Sequence, residues 1–273
     1  MTVLNTQFYK FRERLAQFRI IGDHQVYWEK RWSQREIRET LAAHSKGKLD
    51  EYETIFTRYL PRDLPILEAG CGLGQLVMAL SSRGYQVEGV DYADQTIGRI
   101  RTAAPELNVR VGDVYNLDVR DNTYGGYISL GIFEHNPVGP LAGLQEARRV
   151  LHPRGVGLIS VPYLNHERQK WLRCAPIARS SVSSGGVEFY QYYFSRPDFE
   201  ARLHEAGLKV IEIFPYALYG AMTRDFRLPQ WLHEQKFFFW QIHRRITRWC
   251  RQAPDWLRWR WAHMLMFVCT RIE

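Results

Sequence analysis

A short apolar run, Pro65-Ile66-Leu67-Glu68-Ala69, breaks into Gly70-Cys71-Gly72-Leu73-Gly74, and helix-forming residues 75–83 follow at once. Glycines at alternate positions let the backbone take angles other residues avoid and let a ligand come close. A strand, a glycine turn and a helix in that order form the opening unit of an open α/β sheet, whose ligands bind beyond the carboxyl ends of the strands. The spacing is GxGxG, not the GxGxxG of a dinucleotide cradle, and no Gly-Lys-Ser/Thr follows, which excludes a P-loop.

The alternation continues. Strands are predicted over 65–70, 85–91, 109–112, 127–130 and 156–161, with helices over 75–83, 93–104 and 141–151 between them. About five alternations within about 100 residues argue for a parallel, doubly wound α/β sheet. Ser195 reads as a helix N-cap with Pro197 in the first turn and Gly207 at the far end. A sixth strand follows over 208–214, and 264–270 is apolar enough for a last strand returning to the sheet. Residues 162–186 read as irregular, with a Ser/Gly-rich loop at 180–186. Upstream, Phe8, Phe11, Leu15 and Phe18, then Tyr52, Ile55, Phe56 and Tyr59, recur at three- and four-residue spacing. Residues 1–60 are therefore predicted helical, closed by Leu60-Pro61.

Two strand-end carboxylates accompany the glycine turn. Asp91-Tyr92 ends the second strand, where a carboxylate can accept both hydroxyls of a ribose. Asp113-Val114 ends the third, where an acid and an apolar neighbour suit an adenine. Each alone is an ordinary turn or cap residue; in sequence at successive strand ends they point to one nucleoside-like ligand.

ILEAGCGLG, GVDYAD, VGDVYNL, YISLGIFEHN and EARRVLHPRGVGLISVP together resemble a class I S-adenosylmethionine-dependent methyltransferase of the broad methyltransferase type 11 group. The resemblance is strong over 64–163 and moderate over 187–214. It implies a doubly wound, seven-stranded Rossmann-like sheet with a reversed last strand, which 264–270 suits. It implies S-adenosyl-L-methionine as cofactor, with Glu68, Gly70, Cys71 and Gly72 around its methionyl part. Asp91 and Tyr92 would serve the ribose, Asp113 and Val114 the adenine, and Leu130 would lie beside the sulfonium. Cys71 reads as a small residue tolerated where backbone packs closely rather than as a nucleophile.

The methyl in such a cofactor is already activated, so the protein positions the acceptor and, for a hydroxyl, removes its proton. His135, after Glu134 in the fourth strand's loop, and His166, after the fifth strand, are the candidate bases because imidazole titrates near neutrality. Each is also readable as a structural histidine. Trp28 and Trp32 lie one helical turn apart; they form either a packed aromatic face or a lid whose rings favour a sulfonium. A similar Trp-xxx-Trp pair occurs in thiopurine-type methyltransferases.

The net charge of +8 is unevenly placed: residues 217–263 hold nine Arg/Lys against Asp225, Glu234 and Asp255, and six of the nine tryptophans. This stretch reads as a helical insertion over the substrate pocket, as a contact with an anionic membrane surface, or as a nucleic-acid contact. No Asn-Pro-Pro-Tyr-type tetrapeptide or RNA-binding module accompanies it. The organisation predicted is an N-terminal helical cap (1–60), a cofactor-binding core (61–216), a basic aromatic helical insertion (217–262) and a last core strand (263–273). Four scattered cysteines without metal spacing predict a reduced, cytoplasmic protein with no metal site; the lack of an apolar run of about 18 residues predicts no spanning helix, and the charges interleaved in residues 1–19 predict no secretory signal. The function expected is methyl transfer to a small or lipid-like molecule at oxygen. A nucleic-acid methyltransferase, a non-catalytic nucleotide-binding module and an aminopropyl transferase are the rivals; the last lacks an acidic cluster in 136–139.

Overall fold

The computed structural model describes residues 7–19, 22–178, 183–184, 187–219, 221, 245–246, 249–250 and 252–273. Twenty named elements follow in chain order. They are β1 (Gln7–Phe11), β2 (Arg14–Arg19), α1 (His24–Ser33), α2 (Ile37–Ala42), α3 (Glu53–Tyr59), β3 (Ile66–Ala69) and α4 (Gln75–Ser81). Next come β4 (Val87–Asp91), α5 (Asp94–Ala103), β5 (Val109–Val111), β6 (Tyr124–Leu130), α6 (Leu141–Val150), β7 (Leu151–Pro162) and α7 (His166–Cys174). The rest are β8 (Ser183–Ser184), β9 (Val187–Tyr193), α8 (Arg196–Glu205), β10 (Leu208–Tyr216), α9 (Asp255–Trp261) and β11 (Met264–Arg271).

Seven strands form the main sheet in the order β10-β11-β7-β6-β3-β4-β5. β3 pairs in parallel with both β4 and β6, and β6 in parallel with β7. β11 runs antiparallel between β7 and β10, as the reversed last strand was expected to do. The chain winds outward from β3 in both directions, so the carboxyl ends of β3 and β6 flank the crevice where a doubly wound sheet binds ligands. Alternate side chains feed two cores. Ile66 and Leu158 join α2–α5 on one face, and Leu67 and Ile159 join α6, α8 and β9 on the other.

The predicted helix α8 is capped as read: Ser195 Oγ accepts from Asp198 N at 3.3 Å, with proline in the first turn. Two boundaries move. β6 starts at Tyr124, and β7 starts at Leu151, five residues before the predicted strand, with a register shift between Tyr124 and Gly126.

The helical reading of 1–60 is corrected at its start. Residues 7–19 form an antiparallel hairpin, Phe11 pairing with Arg14 across a two-residue turn in which Arg12 takes φ +55°. Phe8 and Leu15 face one side of it, with Trp171, Leu164 and Tyr193, while Tyr9, Phe11 and Phe18 face the other, against Phe189 and Tyr192. Both faces are apolar, so the spacing that imitates a helix is the pattern of a two-sided strand pair, and the turn carries no Gly or Asn to announce it. Helices begin only at α1.

The irregular reading of 162–186 is corrected as well. Asn165 caps α7, its Oδ1 accepting from Arg168 N at 3.1 Å. β9 then pairs with β2, giving a second sheet in the order β1-β2-β9-β8. Of the predicted helical insertion 217–262, residues 218–219, 221, 245–246, 249–250 and 252 are helical, α9 closes it, and 217, 253–254 and 262 are not helical; residues 220, 222–244, 247–248 and 251 lie outside the described residues.

Candidate active site

The crevice holds a cavity of about 990 Å³, at the upper end of the size range of small-molecule sites. Its floor is the glycine turn. Gly70 and Gly72 have φ +82° and +50°. A Cβ at Gly70 would stand 2.2 Å from Ile132 Cδ1, and one at Gly72 would stand 3.2 Å from Trp32 Cζ2. Both positions therefore need glycine for conformation, and Gly70 for space as well.

Asp91 fixes this turn. Its Oδ2 accepts from Gly72 N at 2.8 Å and its Oδ1 from Ala93 N at 3.0 Å. Each oxygen keeps a lone pair for a ligand hydroxyl. Burial pushes the Asp91 carboxyl up, partly offset by the Ala93 and Gly72 N–H groups. Glu68 is also buried; its Oε2 accepts from Val77 N at 3.1 Å, and burial raises its carboxyl well above the usual range. Two buried acids beneath a partly apolar cavity are relieved by a cationic ligand. Asp113 Oδ1 accepts from Tyr115 N at 2.9 Å, which shapes the turn after β5 and sets Val114 on the wall.

The cover is α1. Asp23 Oδ1 caps it at Val26 N, 2.9 Å. Trp28 and Trp32 stack at 5.5 Å over the glycine turn. Glu29 reaches across to α5, accepting from Gln95 N at 2.9 Å and from Thr96 Oγ1 at 2.7 Å. An acidic side chain at a helix N-terminus satisfies free N–H groups and suits the dipole. Gln25 Nε2 donates to Tyr92 O at 3.1 Å and Tyr92 OH to His24 O at 3.3 Å.

Glu68, Gly70, Cys71, Gly72, Asp91, Tyr92, Asp113, Val114, Leu130, Trp28, Trp32 and His135 all line this one cavity. Cys71 is buried, and burial raises its thiol well above the usual range, which makes it inert packing. His166 is the exception. It opens α7, edge-on to Trp261 at 5.6 Å and accepting from Arg260 Nη2 at 3.2 Å, outside the cavity. The strand before it runs on to Pro162 and Asn165 turns the chain into a helix, which carries the imidazole away from the crevice.

His135 Nδ1 lies 2.7 Å from Tyr190 O, a contact that only an N–H can make, so the neutral ring carries its lone pair on Nε2. Trp28 and Tyr190 pack edge-on to the ring at 5.2 and 5.0 Å. Burial pulls the imidazole down to about 4, opposed by the Tyr190 carbonyl and aided by the positive charge of His24, Arg19 and Arg31. Burial pushes the neighbouring Glu134 up to about 8. Glu134 Oε1 and His135 Nε2, 3.8 Å apart, are therefore two neutral groups at neutral pH rather than an ion pair. Glu134 Oε2 finds no hydrogen-bond partner among the described residues.

Sequence reasoning missed Ile132, Tyr115, Tyr52, His44 and Lys48, which are among the further residues lining the cavity. Tyr115 and Ile132 lie within the quoted motifs, beside Val114 and just after Leu130, whereas Tyr52, His44 and Lys48 come from the segment between α2 and α3 and are brought in only by packing. Among the described residues no group of His, Cys, Asp and Glu could hold a metal ion.

Residues 66–155 match the family model of a methyltransferase domain. A probable S-adenosylmethionine-dependent methyltransferase of Mycolicibacterium smegmatis is 31% identical over 111 residues, 41% of this chain and 42% of that protein. The malonyl-[acyl-carrier protein] O-methyltransferase of Geobacter sulfurreducens is 30% identical over 156 residues, 55% of this chain and 57% of that protein. These matches span about half the length of the curated relatives. A solved S-adenosylmethionine-dependent methyltransferase of Methanosarcina mazei superposes with a TM-score of 0.54 at 17% identity, covering 80% of this chain and 98% of that one. One from Mesorhizobium loti gives 0.53 at 14%, covering 82% and 99%. At that identity the structures speak for the fold alone.

Proposed function

We propose that this chain, built around a class I S-adenosylmethionine-dependent methyltransferase domain, transfers a methyl group to a hydroxyl or carboxyl oxygen of a small or amphiphilic molecule. The observation that carries this reading is the gathering of the glycine turn, Asp91, Asp113-Val114 and Leu130, from the ends of four successive parallel strands, around one cavity at the switch point of the sheet.

The residues present fit S-adenosyl-L-methionine. Gly70 and Gly72 leave the space that a Cβ would fill, Asp91 offers a lone pair on each oxygen, and Glu68 and Asp91 favour a cation. When bound, the cofactor supplies a methyl group activated on a sulfonium. Glu68, Gly70 and Gly72 would hold its methionyl part, Asp91 and Tyr92 its ribose, Asp113 and Val114 its adenine. The stacked Trp28 and Trp32 roof the site, exclude water and present aromatic faces suited to a positive sulfur. Leu130 gives the reacting end a dry wall.

His135 is the base in this reading. Its Nδ1–H is fixed on the Tyr190 carbonyl, which leaves Nε2 to accept a proton from an acceptor hydroxyl. Its low affinity for protons keeps that lone pair available down to mildly acidic pH and favours an acceptor of low pKa, such as a phenol or an acid. An O-methyltransferase among the relatives supports oxygen as the acceptor atom.

The test is calorimetric titration of the purified protein with S-adenosylmethionine and S-adenosylhomocysteine, with NAD as the control. Micromolar binding of the first two and none of NAD is expected. Folded protein that binds neither overturns the reading.

A further inference from the structure

Among the described residues, eight large apolar side chains are exposed, and five of them lie on segments at one end of the molecule. Val26 is on the outer side of α1, Tyr92 directly follows β4, and Val138 stands in the loop after β6. Trp249 and Trp256 lie between β10 and β11. That last segment leaves and rejoins the sheet at the carboxyl ends of the parallel strands, because Tyr216 and Met264 pair with each other and Met264 also pairs with Pro162 at the end of β7. This is the end on which the cavity opens. The departing chain is tied to the cavity rim: Ala217 N donates to Glu51 Oε2 at 3.0 Å, and Tyr216 packs edge-on to Tyr52, a lining residue, at 5.5 Å.

Val138 is 93% exposed, Trp256 67%, Val26 64% and Trp249 52%. Val138 is held outward by a local turn, its N–H donating to Asn136 Oδ1 at 2.9 Å. The sequence between β10 and β11, 217–263, holds nine basic residues against three acidic ones, and Arg245, Arg258 and Arg260 are those among the described residues. Trp256 opens α9, while Trp259 and Trp261 of that helix pack inward on the protein. Arginines with tryptophans suit the interface of an anionic bilayer. Nucleic acid would use the cations and stack on the rings, but it gains nothing from exposed valines on two further segments. No helix among the described residues is long and apolar enough to cross a membrane, so the contact would be peripheral.

We infer that the cavity-bearing end of the protein docks on an anionic lipid surface, with Trp249, Trp256, Val138 and Val26 at the contact. Its methyl acceptor is then an amphiphile drawn from that surface. The docking stands independently; the identity of the acceptor rests on the methyltransferase reading above.

The experiment is co-sedimentation of the full chain with vesicles of phosphatidylcholine, with and without phosphatidylglycerol, at low and high salt. Binding to the anionic vesicles, weakened by salt, is expected. The double variant Trp249→Ser/Trp256→Ser should bind about tenfold more weakly, and Val138→Asp several-fold more weakly, with unchanged melting temperature because all three side chains are exposed. Failure to bind anionic vesicles, undiminished binding by the folded double variant, or tighter binding of a single-stranded RNA than of vesicles each overturns the docking. Calorimetry with S-adenosylmethionine in solution separates the two readings. Cofactor binding without vesicle binding removes the surface and keeps the enzyme. Vesicle binding without cofactor binding removes the amphiphilic acceptor and keeps the surface.

Discussion

Glu68 and Asp91, in the floor of the cavity, are each only 6% exposed, whereas α1, which roofs the same cavity, contains no buried residue at all. The floor is backbone held by backbone: parallel ladders, positive-φ glycines and carboxylates that accept main-chain N–H groups. The cover is held by Gln25 and Glu29, which reach the β4–α5 turn and the start of α5, by Tyr92 and Arg99, which donate to the α1 carbonyls of His24 and Trp32, and by Trp28 packed on His135. Loss of packing in a sheet centre costs far more than loss of exposed polar contacts, so the cover belongs to the low-stability part of the molecule and the floor to the high. The expectation is that the floor keeps its geometry while the roof opens for exchange.

The largest effect should come from the floor. Gly70→Val drives a side chain into Ile132 and imposes a left-handed conformation on a β-branched residue. A loss of about 3–5 kcal/mol in denaturant unfolding and no measurable cofactor binding are expected. A variant that binds normally would break the comparison at its root. Asp91→Ala comes next. It strips an acceptor from Gly72 N and Ala93 N and should lower cofactor affinity by about 10- to 100-fold in calorimetry.

In the cover, Glu29→Gln keeps the shape and removes the charge at the α5 N-terminus. It should cost at most about 1 kcal/mol, yet speed release of S-adenosylhomocysteine several-fold in stopped-flow tryptophan fluorescence. An unchanged release rate would show that α1 does not govern exchange. Hydrogen exchange should be faster in α1 than in β3.

Glu134 and His135 give a pH signature that locates the boundary between the two regions. Glu134 is raised in the folded state to about 8, so its contribution is full below its unfolded value near 4.5 and is lost as pH rises toward 8. His135 is lowered to about 4, so its contribution is full above 6.5 and is lost as pH falls toward 4. Melting temperature should fall on both sides, and Glu134→Gln should lessen the alkaline fall, to which the raised carboxyls of Glu68 and Asp91 also contribute, and leave the acid fall unchanged. The smallest effect belongs to the hairpin that leads into the cover: Arg12→Gly relieves φ +55° and should stabilise by about 0.5–1 kcal/mol in thermal melts.

The legibility of these regions in the sequence follows the same division. Gly70, Gly72, Asp91 and Asp113 are readable because each sits at the end of a strand in a repeating strand–helix unit; Glu68 and Leu130 come only with the resemblance. Trp28 and Trp32 were readable only as a pair with two possible uses, lid or packing. The hairpin β1–β2 and strand β9 were not readable. β2 and β9 pair across about 170 to 180 residues, as in Leu15 opposite Tyr193, and both faces of the hairpin are apolar, so its period does not distinguish helix from strand. His135 and His166 looked alike as strand-end histidines. The Tyr190 carbonyl, on β9, holds one ring in the cavity wall, and a helix cap at Asn165 turns the other away.

By itself the sequence determined the doubly wound sheet, its glycine turn and the order of the acids along its edge. These follow from backbone sterics and from alternation over neighbouring residues, which act within a few positions of the chain. Only the tertiary structure decided what roofs the site, which histidine faces it and which exposed apolar side chains share its mouth. Those depend on contacts between segments far apart in sequence, where the free energy lies in surfaces meeting and no local pattern records the partner.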